Sequence, residues 1–414
     1  MDTNTNLIMR PALKISPRLP CVVPVVARAR RLVVCCNIRR VTLTQLACVW
    51  MAVCLLLSPR LQAAEDFAFL PAIAFDEPAQ MHLLDITRAG DRLVAVGERG
   101  LVIISDDHGR NWRQADVPVS IALTAVHFPR PDHGWVVGHA GTILHSADGG
   151  ESWTLQLDGN QVNAKYVEYT LAEVERLEQA LMEATDESVR EALELALEDA
   201  TFAAEDAADA VVIGPADPFL DVLFTSAEAG FAVGAYGMLY RTADGGANWD
   251  IAIAGIDNAY RYHYYDIASA ADGRLYLSGE AGLLYYSGDN GITWERVEGV
   301  YDGTLFGVLA RAKDVLAFGL RGHIFRSLDG GRSWVELENP GRSSFYGGTL
   351  LEDGNALLVG AGGTILVPDT ESRTVQRWQH PSRATLSSAV QNAQGDVLLV
   401  GMGGLVPLAE AEPL

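Results

Sequence analysis

Cysteine is missing from most of this chain. All five (Cys21, Cys35, Cys36, Cys48, Cys54) fall before residue 65, and the following 350 residues have none. Disulfides, thiolate metal sites and cysteine nucleophiles are thereby excluded from residues 65–414, while an oxidising compartment stays compatible. Lysine is scarce, with three against 28 arginines. Basic charge as a whole is short, 31 Lys and Arg against 53 Asp and Glu, for a net −22. So acidic a surface repels phosphate backbones and argues against a nucleic-acid partner. No Gly-x-x-x-x-Gly-Lys-Ser/Thr loop, Gly-x-Ser-x-Gly elbow or His-Glu-x-x-His pair occurs, which removes the common nucleotide, hydrolase and zinc-protease sites. Gly360-Ala361-Gly362-Gly363 and Gly401-Met402-Gly403-Gly404 lead into strands, where no helix end awaits a phosphate. The nine histidines are scattered, and acidic stretches lack EF-hand spacing. No metal, no cofactor and no catalytic residue is expected.

What is present divides at residue 64. Residues 1–64 carry nine Lys and Arg against the single acid Asp2, leaving −30 for the remainder. Arg39-Arg40 precede an apolar run, Leu46 to Leu57, that ends at small residues before Ala64. Charge, a short apolar core and small residues make an export signal, with cleavage expected near Ala64 and a periplasmic or otherwise exported product. The run is short for a stable membrane span.

Beyond it the chain repeats. Gly97-Glu98-Arg99-Gly100 is followed by Ser105, Asp107, Gly109 and Trp112. The same spacing returns as Gly138, Gly141, Ser146, Asp148, Gly150, Trp153; as Gly234, Gly237, Thr242, Asp244, Gly246, Trp249; as Gly279, Gly282, Ser287, Asp289, Gly291, Trp294; and as Gly319, Gly322, Ser327, Asp329, Gly331, Trp334. Gly360/Gly363 and Gly401/Gly404 begin two degenerate copies. The period is near 41, with one interval of 96 that holds an insertion of 55. Each unit reads as four short strands, for example Leu123–Phe128, Gly134–Val137, Thr142–His145 and Trp153–Gln156. Seven such units imply an all-β fold, a seven-bladed β-propeller. The last unit stops near Leu408 without a fourth strand, and Phe67–Phe75 is a spare strand at the other end. The expectation is a ring closed by that N-terminal strand in the seventh blade.

The motif Ser/Thr-x-Asp-x-Gly-x-x-Trp resembles the Asp-box, or BNR repeat. Hydroxyl and carboxylate can cap turn amides, glycine can take positive φ, and tryptophan can wedge between blades. The fifteen Ser/Thr, Asp and Trp positions quoted above are therefore read as structural. In a four-stranded meander (strands a to d) these c–d turns share one face. The opposite face carries the b–c turns and the d–a crossings. There lie Arg99, His139, Tyr236 and Arg321 between paired glycines, and Arg261, Tyr262, Tyr264 and Tyr346 on the crossings. Arginine and aromatics are enriched at binding hot spots, so these eight are the candidate binding residues. His263 lies in the same aromatic run.

The insertion emerges on that face. Residues 165–210 carry 14 acids against Lys165, Arg176 and Arg190. Leu171, Val174, Leu177 and Leu181 keep helical spacing, as do Val189, Leu193 and Leu197. Thr185-Asp186 separates the two runs and suits the cap of a second helix. An acidic α-helical hairpin follows. The domain plan is leader 1–64, propeller 65–157, helical insertion 158–217 and propeller 218–414.

The five repeats, with openings such as Leu123-Thr124-Ala125-Val126-His127-Phe128 and Leu220-Asp221-Val222-Leu223-Phe224, resemble the photosystem II stability/assembly factor family. That resemblance implies a seven-bladed lumenal or periplasmic propeller without enzymatic activity, binding a membrane protein during assembly. An arginine patch doing so would fall on Arg99, Arg261 and Arg321. Similar exported proteins of non-photosynthetic bacteria resemble companions of RND-type transporters, which makes a transporter complex the other partner class. A monomer is expected. The rival is a sialidase-type BNR glycoside hydrolase, which needs three arginines on a carboxylate, a tyrosine–glutamate nucleophile and an acid/base aspartate. Its Phe/Tyr-Arg-Ile-Pro motif is absent.

Overall fold

A computed structural model describes residues 70–369, 372–408 and 411–414. The expected signal peptide lies outside them, as do Phe67–Phe69. Among the described residues the strands form seven antiparallel sheets. Their first strands are Leu83–Ala89, Leu123–His127, Phe219–Phe224, Tyr264–Ser269, Leu305–Arg311, Phe345–Leu350 and Leu386–Gln391. Each contacts the next, and the seventh returns to the first. The fold is a propeller whose ring closes through its inner strands.

The seams between blades are the core. Alternate residues of each strand point into one seam or the other, so a central strand such as Gly134–Gly138 is buried throughout. Trp153 sits among Val94, Ile104 and Phe128, between blades 1 and 2. Trp249 occupies the same place between blades 2 and 3, and Trp294 between blades 3 and 4. The expected tryptophan wedge is there.

The inner strands are also stitched by side chains. Asp85 accepts the Val126 amide of the next blade at 2.9 Å, Asp221 that of Ile267 at 2.8 Å and Asp266 that of Val308 at 2.8 Å. His127 Nδ1 accepts the Phe224 amide at 3.1 Å. Burial pushes the His127 imidazole down to about 4, so the neutral ring is the one that fits. Burial, then the adjoining Asp266 charge, raises the Asp221 carboxyl well above the usual range. Two adjoining buried carboxyls resist ionising together, which favours the protonated form of Asp221.

Blade 7 corrects one expectation. It has three strands, Leu386–Gln391, Val397–Gly401 and Gly404–Pro407. Of the expected closing strand Phe67–Phe75, the described part, Leu70–Phe75, forms no strand and pairs with no strand of blade 7. The Ala72 amide instead donates to Val117 O at 3.0 Å, and the Gln114 amide bonds the backbone at Ile73 and Phe75, all on blade 1. Pro71 lacks the donor a ladder needs. The segment still helps closure, because Phe75, Ala79 and Met81 pack with Leu398 and Leu405 in the seam between blades 7 and 1. At the other end Glu412–Pro413 adds a fifth strand to blade 6. Both termini thus reinforce neighbours and leave the outer edge of blade 7 unpaired among the described residues.

The insertion is the expected hairpin, α1 (Gly159–Glu183) and α2 (Glu187–Ile213). Asp158 caps α1 by accepting Gln161 N, and Gln161 reaches back to Asp158 N, a reciprocal box. Asp186 caps α2 through the amides of Ser188 and Val189. Val162 roots α1 in the seam between blades 2 and 3. Leu177 is buried between the helices, but Leu171 and Val189 are exposed despite their spacing.

Candidate functional site

The two faces of the ring differ in how far their polar groups are satisfied. At each Asp-box turn the hydroxyl donates to the aspartate and accepts a glycine amide. Ser327 Oγ lies 2.8 Å from Asp329 and 2.8 Å from Gly331 N. The Asp329 carboxylate also takes the amides of Arg332 and Ser333 and the Ser333 hydroxyl. Such bonds hold the anion. The Asn111 amide and side chain depress Asp107 to about 2, and Thr293 does the same for Asp289. With their lone pairs engaged by their own turn, these carboxylates are turn caps.

The opposite face is built from b–c turns, where the residue before the second glycine takes a left-handed conformation. Arg99 (φ 59°), Tyr236 (φ 53°), Ala281 (φ 52°) and Arg321 (φ 58°) all do so. The glycine that follows has to be glycine: a Cβ on Gly100 would lie 1.9 Å from Val119 O. Left-handed backbone disfavours side chains, yet three blades place a long arginine or tyrosine there.

The face separates into two groups. One is an arc of rings. Tyr236 lies 4.9 Å from His263, His263 6.1 Å from Tyr265, Tyr265 5.1 Å from Phe306, and Phe306 5.3 Å from Tyr346. Tyr265, Phe306 and Tyr346 share one position of the inner strand and line the channel mouth. The other is a cavity of about 360 Å³ between the hairpin and blade 3, lined by Tyr166, Asp206, Asp217, Tyr236, Arg261 and Tyr264 among others. The Arg261 guanidinium stands over the Tyr166 ring at 5.1 Å, and its Nε reaches Tyr236 O at 3.4 Å. Burial raises the Asp217 carboxyl, against the pull of Arg261 and His263.

Tyr236 joins the two groups, Arg261 belongs to the cavity and Tyr346 to the arc. Tyr264 is no surface residue: it is 0% exposed and packed edge-on against Tyr285, at the inner wall of the cavity. The inner strand begins there, and its first position points into the seam. Tyr262 is likewise half-buried against blades 3 and 4. Arg99, His139 and Arg321 are exposed on turns of blades 1, 2 and 5 and do not line the cavity. Sequence reasoning missed Tyr265 and Phe306, although aligning the repeats puts both in the second inner-strand position, with Leu84, Thr124, Leu220, Tyr346 and Ser387, where aromatics gather in three successive blades. Tyr166, Asp206 and Asp217 gave no local signal, since the fold of the hairpin back onto blade 3 brings them in. Among the described residues, no cluster of three or more His, Cys, Asp or Glu is arranged to hold a metal.

Residues 104–179 and 203–334, just over half the chain, match the family described as Photosynthesis system II assembly factor YCF48. The gap between them falls within the hairpin. A chloroplast photosystem II stability/assembly factor HCF136 from Cyanidioschyzon merolae is 40% identical over 47 residues, 11% of each chain. The photosystem II assembly lipoprotein Ycf48 of Synechococcus sp. (strain CC9902) is 32% identical over 89 residues, 20% of this chain and 26% of that protein. The matched stretches therefore span about a tenth to a quarter of these relatives. A solved structure of YCF48 bound to D1 peptide superposes with TM-score 0.54 at 15% identity, covering 81% of this chain and 97% of that one. The WD40 propeller domain of Doa1 gives 0.54 at 11% identity, covering 82% and 95%. Those superpositions speak for the propeller fold, while the repeat match places the sequence: the chain belongs to the photosystem II assembly factor YCF48 family.

Proposed function

We propose that this chain is an exported, non-enzymatic assembly or stability factor that binds an extended segment of a membrane protein on its b–c/d–a face. Residues 1–64 supply the export signal, with cleavage near Ala64, and the mature protein acts as a monomer. The observation that carries the reading is the aromatic arc from Tyr236 to Tyr346, a continuous series of rings across blades 3 to 6. Rings give large contact area at low entropy cost. Arg99, Arg261 and Arg321, on turns and a crossing of the same face, would supply the charge. A solved relative is described as bound to a D1 peptide, which supports a photosystem client. A transporter complex of the RND type is the alternative client class.

Capture of defined luminal or periplasmic segments of each client class by the purified chain tests this. Reversing Arg99, Arg261 and Arg321 to Glu together is expected to abolish capture, and Tyr346→Ala with Phe306→Ala to weaken it at least about tenfold. Unchanged capture by both variants would refute the face. For a sialidase-type hydrolase, three arginines must converge, whereas Arg261 lines the cavity and Arg99 and Arg321 do not. Hydrolysis of a fluorogenic sialoside by the purified chain would overturn the non-enzymatic reading.

A further inference from the structure

Helix α2 carries two apolar stripes. One is turned inward, with Ala207 buried and Leu193 and Leu197 half-buried. The other is outside. Leu195, Phe202 and Ile213 are 63%, 59% and 79% exposed. They are spaced by seven and eleven residues, which sets them on one line along the helix. Asp199, Asp206 and Asp209, all exposed, fall on the same line. The result is an apolar stripe interleaved with carboxylates over about five turns. Asp206 belongs to both this stripe and the cavity lining, so the two are continuous.

The composition selects the occupant. A second copy of the chain would set Asp199, Asp206 and Asp209 against their own kind, and an anionic bilayer would be repelled. An acidic partner faces the same field, from 14 acids against three bases over residues 165–210. The complementary surface is apolar and basic. We infer that α2 and the cavity at its root dock a basic amphipathic helical segment of a partner protein, its apolar side against Leu195, Phe202 and Ile213, and one lysine or arginine reaching Asp206 and Asp217. Tyr236 supplies a π face for that cation, and Asp217 adds its carboxyl to that of Asp206 in the cavity lining. This rests on the reading that the chain binds a protein. It adds a second contact, specific to the insertion, for a segment other than the extended one on the arc.

The test uses the full chain and an 18-residue Leu/Lys amphipathic helix labelled for fluorescence anisotropy. A Leu/Glu helix of the same pattern and phosphatidylglycerol vesicles are the other probes. The Leu/Lys helix is expected to bind, more weakly as salt rises, and the other two not at all. Leu195→Ser with Phe202→Ser, and separately Asp206→Asn with Asp217→Asn, should each weaken it at least about tenfold. All four positions are exposed or half-exposed, and a thermal melt confirms that the variants fold. Arg99→Glu with Arg321→Glu should leave peptide binding intact while client capture falls, which separates this surface from the arc. Equal binding of the Leu/Glu helix, unchanged binding by both double variants, vesicle binding, or self-association with no peptide bound would each overturn the inference.

Discussion

The two faces of this ring come from one repeat and have opposite fates. On the Asp-box face, five turns carry nearly the same residues, and their polar groups are spent within the turn. On the other face the same period holds the glycines and lets everything between them vary: Glu98-Arg99, His139-Ala140, Ala235-Tyr236, Leu320-Arg321. A requirement shared by all blades is a requirement of the blade. A residue used at one position and not at its equivalents answers to something outside the repeat. Hence aspartates that resemble catalytic groups are caps, and the proposed recognition side is the face whose turn residues vary from blade to blade.

The sharpest way to break this comparison is at the wedge. Trp153 is 4% exposed in the seam of blades 1 and 2. Trp153→Ala should cost about 3–5 kcal/mol, read as a loss of denaturation midpoint, with client capture unchanged in the fraction that remains folded. Arg321→Ala should do the reverse.

Acid should come next. The fully stitched His127 has its pKa pushed down from about 6.5 to about 4, so the folded chain resists protonating it. Its contribution is complete above about 6.5 and is lost as pH falls toward 4, on the order of 2 kcal/mol for a half-exposed residue. The Asp-box carboxylates Asp107 and Asp289, depressed to about 2, withdraw theirs lower, between about 4 and 2. The raised Asp221 carboxyl works the other way, adding stability as pH falls toward the ordinary carboxylate range, so the His127 stage is read as a difference: between pH 7 and pH 4 the urea midpoint of the parent should fall relative to that of His127→Gln.

A cap is a smaller loss than a wedge. Ser327 is 1% exposed, and Ser327→Ala strands the Gly331 amide. A buried donor without a partner costs about 1–3 kcal/mol. Asp-box hydroxyls in other blades should show similar losses, since they make the same bonds; a Ser146→Ala variant of equal stability to the parent would contradict the shared-role argument.

Much of the fold was legible because a propeller blade is local. Strands, turns and wedges recur within 41 residues, and period alone reveals them. Composition favours a closing strand at Phe67–Phe75, but in its described part, Leu70–Phe75, Pro71 and the nearby Gln114 amide favour irregular contacts with blade 1. The site was legible only in part. Arg99, Tyr236 and Arg321 stand out because each sits between paired glycines. Tyr166, Asp206 and Asp217 converge only once α1 and α2 fold back over blade 3, and hairpin spacing carries no record of that. Tyr264 shows the limit of composition, since an aromatic run says nothing of which ring faces the seam.

The smallest effect is the most discriminating. Arg321 holds φ 58° on an exposed turn, a conformation that glycine adopts freely and a branched carbon does not. If the position were only structural, glycine would be the better residue, as Gly362 is in blade 6 at φ 65°. Arg321→Gly should therefore leave stability unchanged or raise it by about 1 kcal/mol, while client capture weakens. Stability and binding moving in opposite directions at one residue is what separates the two faces. A glycine variant that captures its client as well as the parent would place Arg321 with the scaffold and move the recognition surface toward the arc alone.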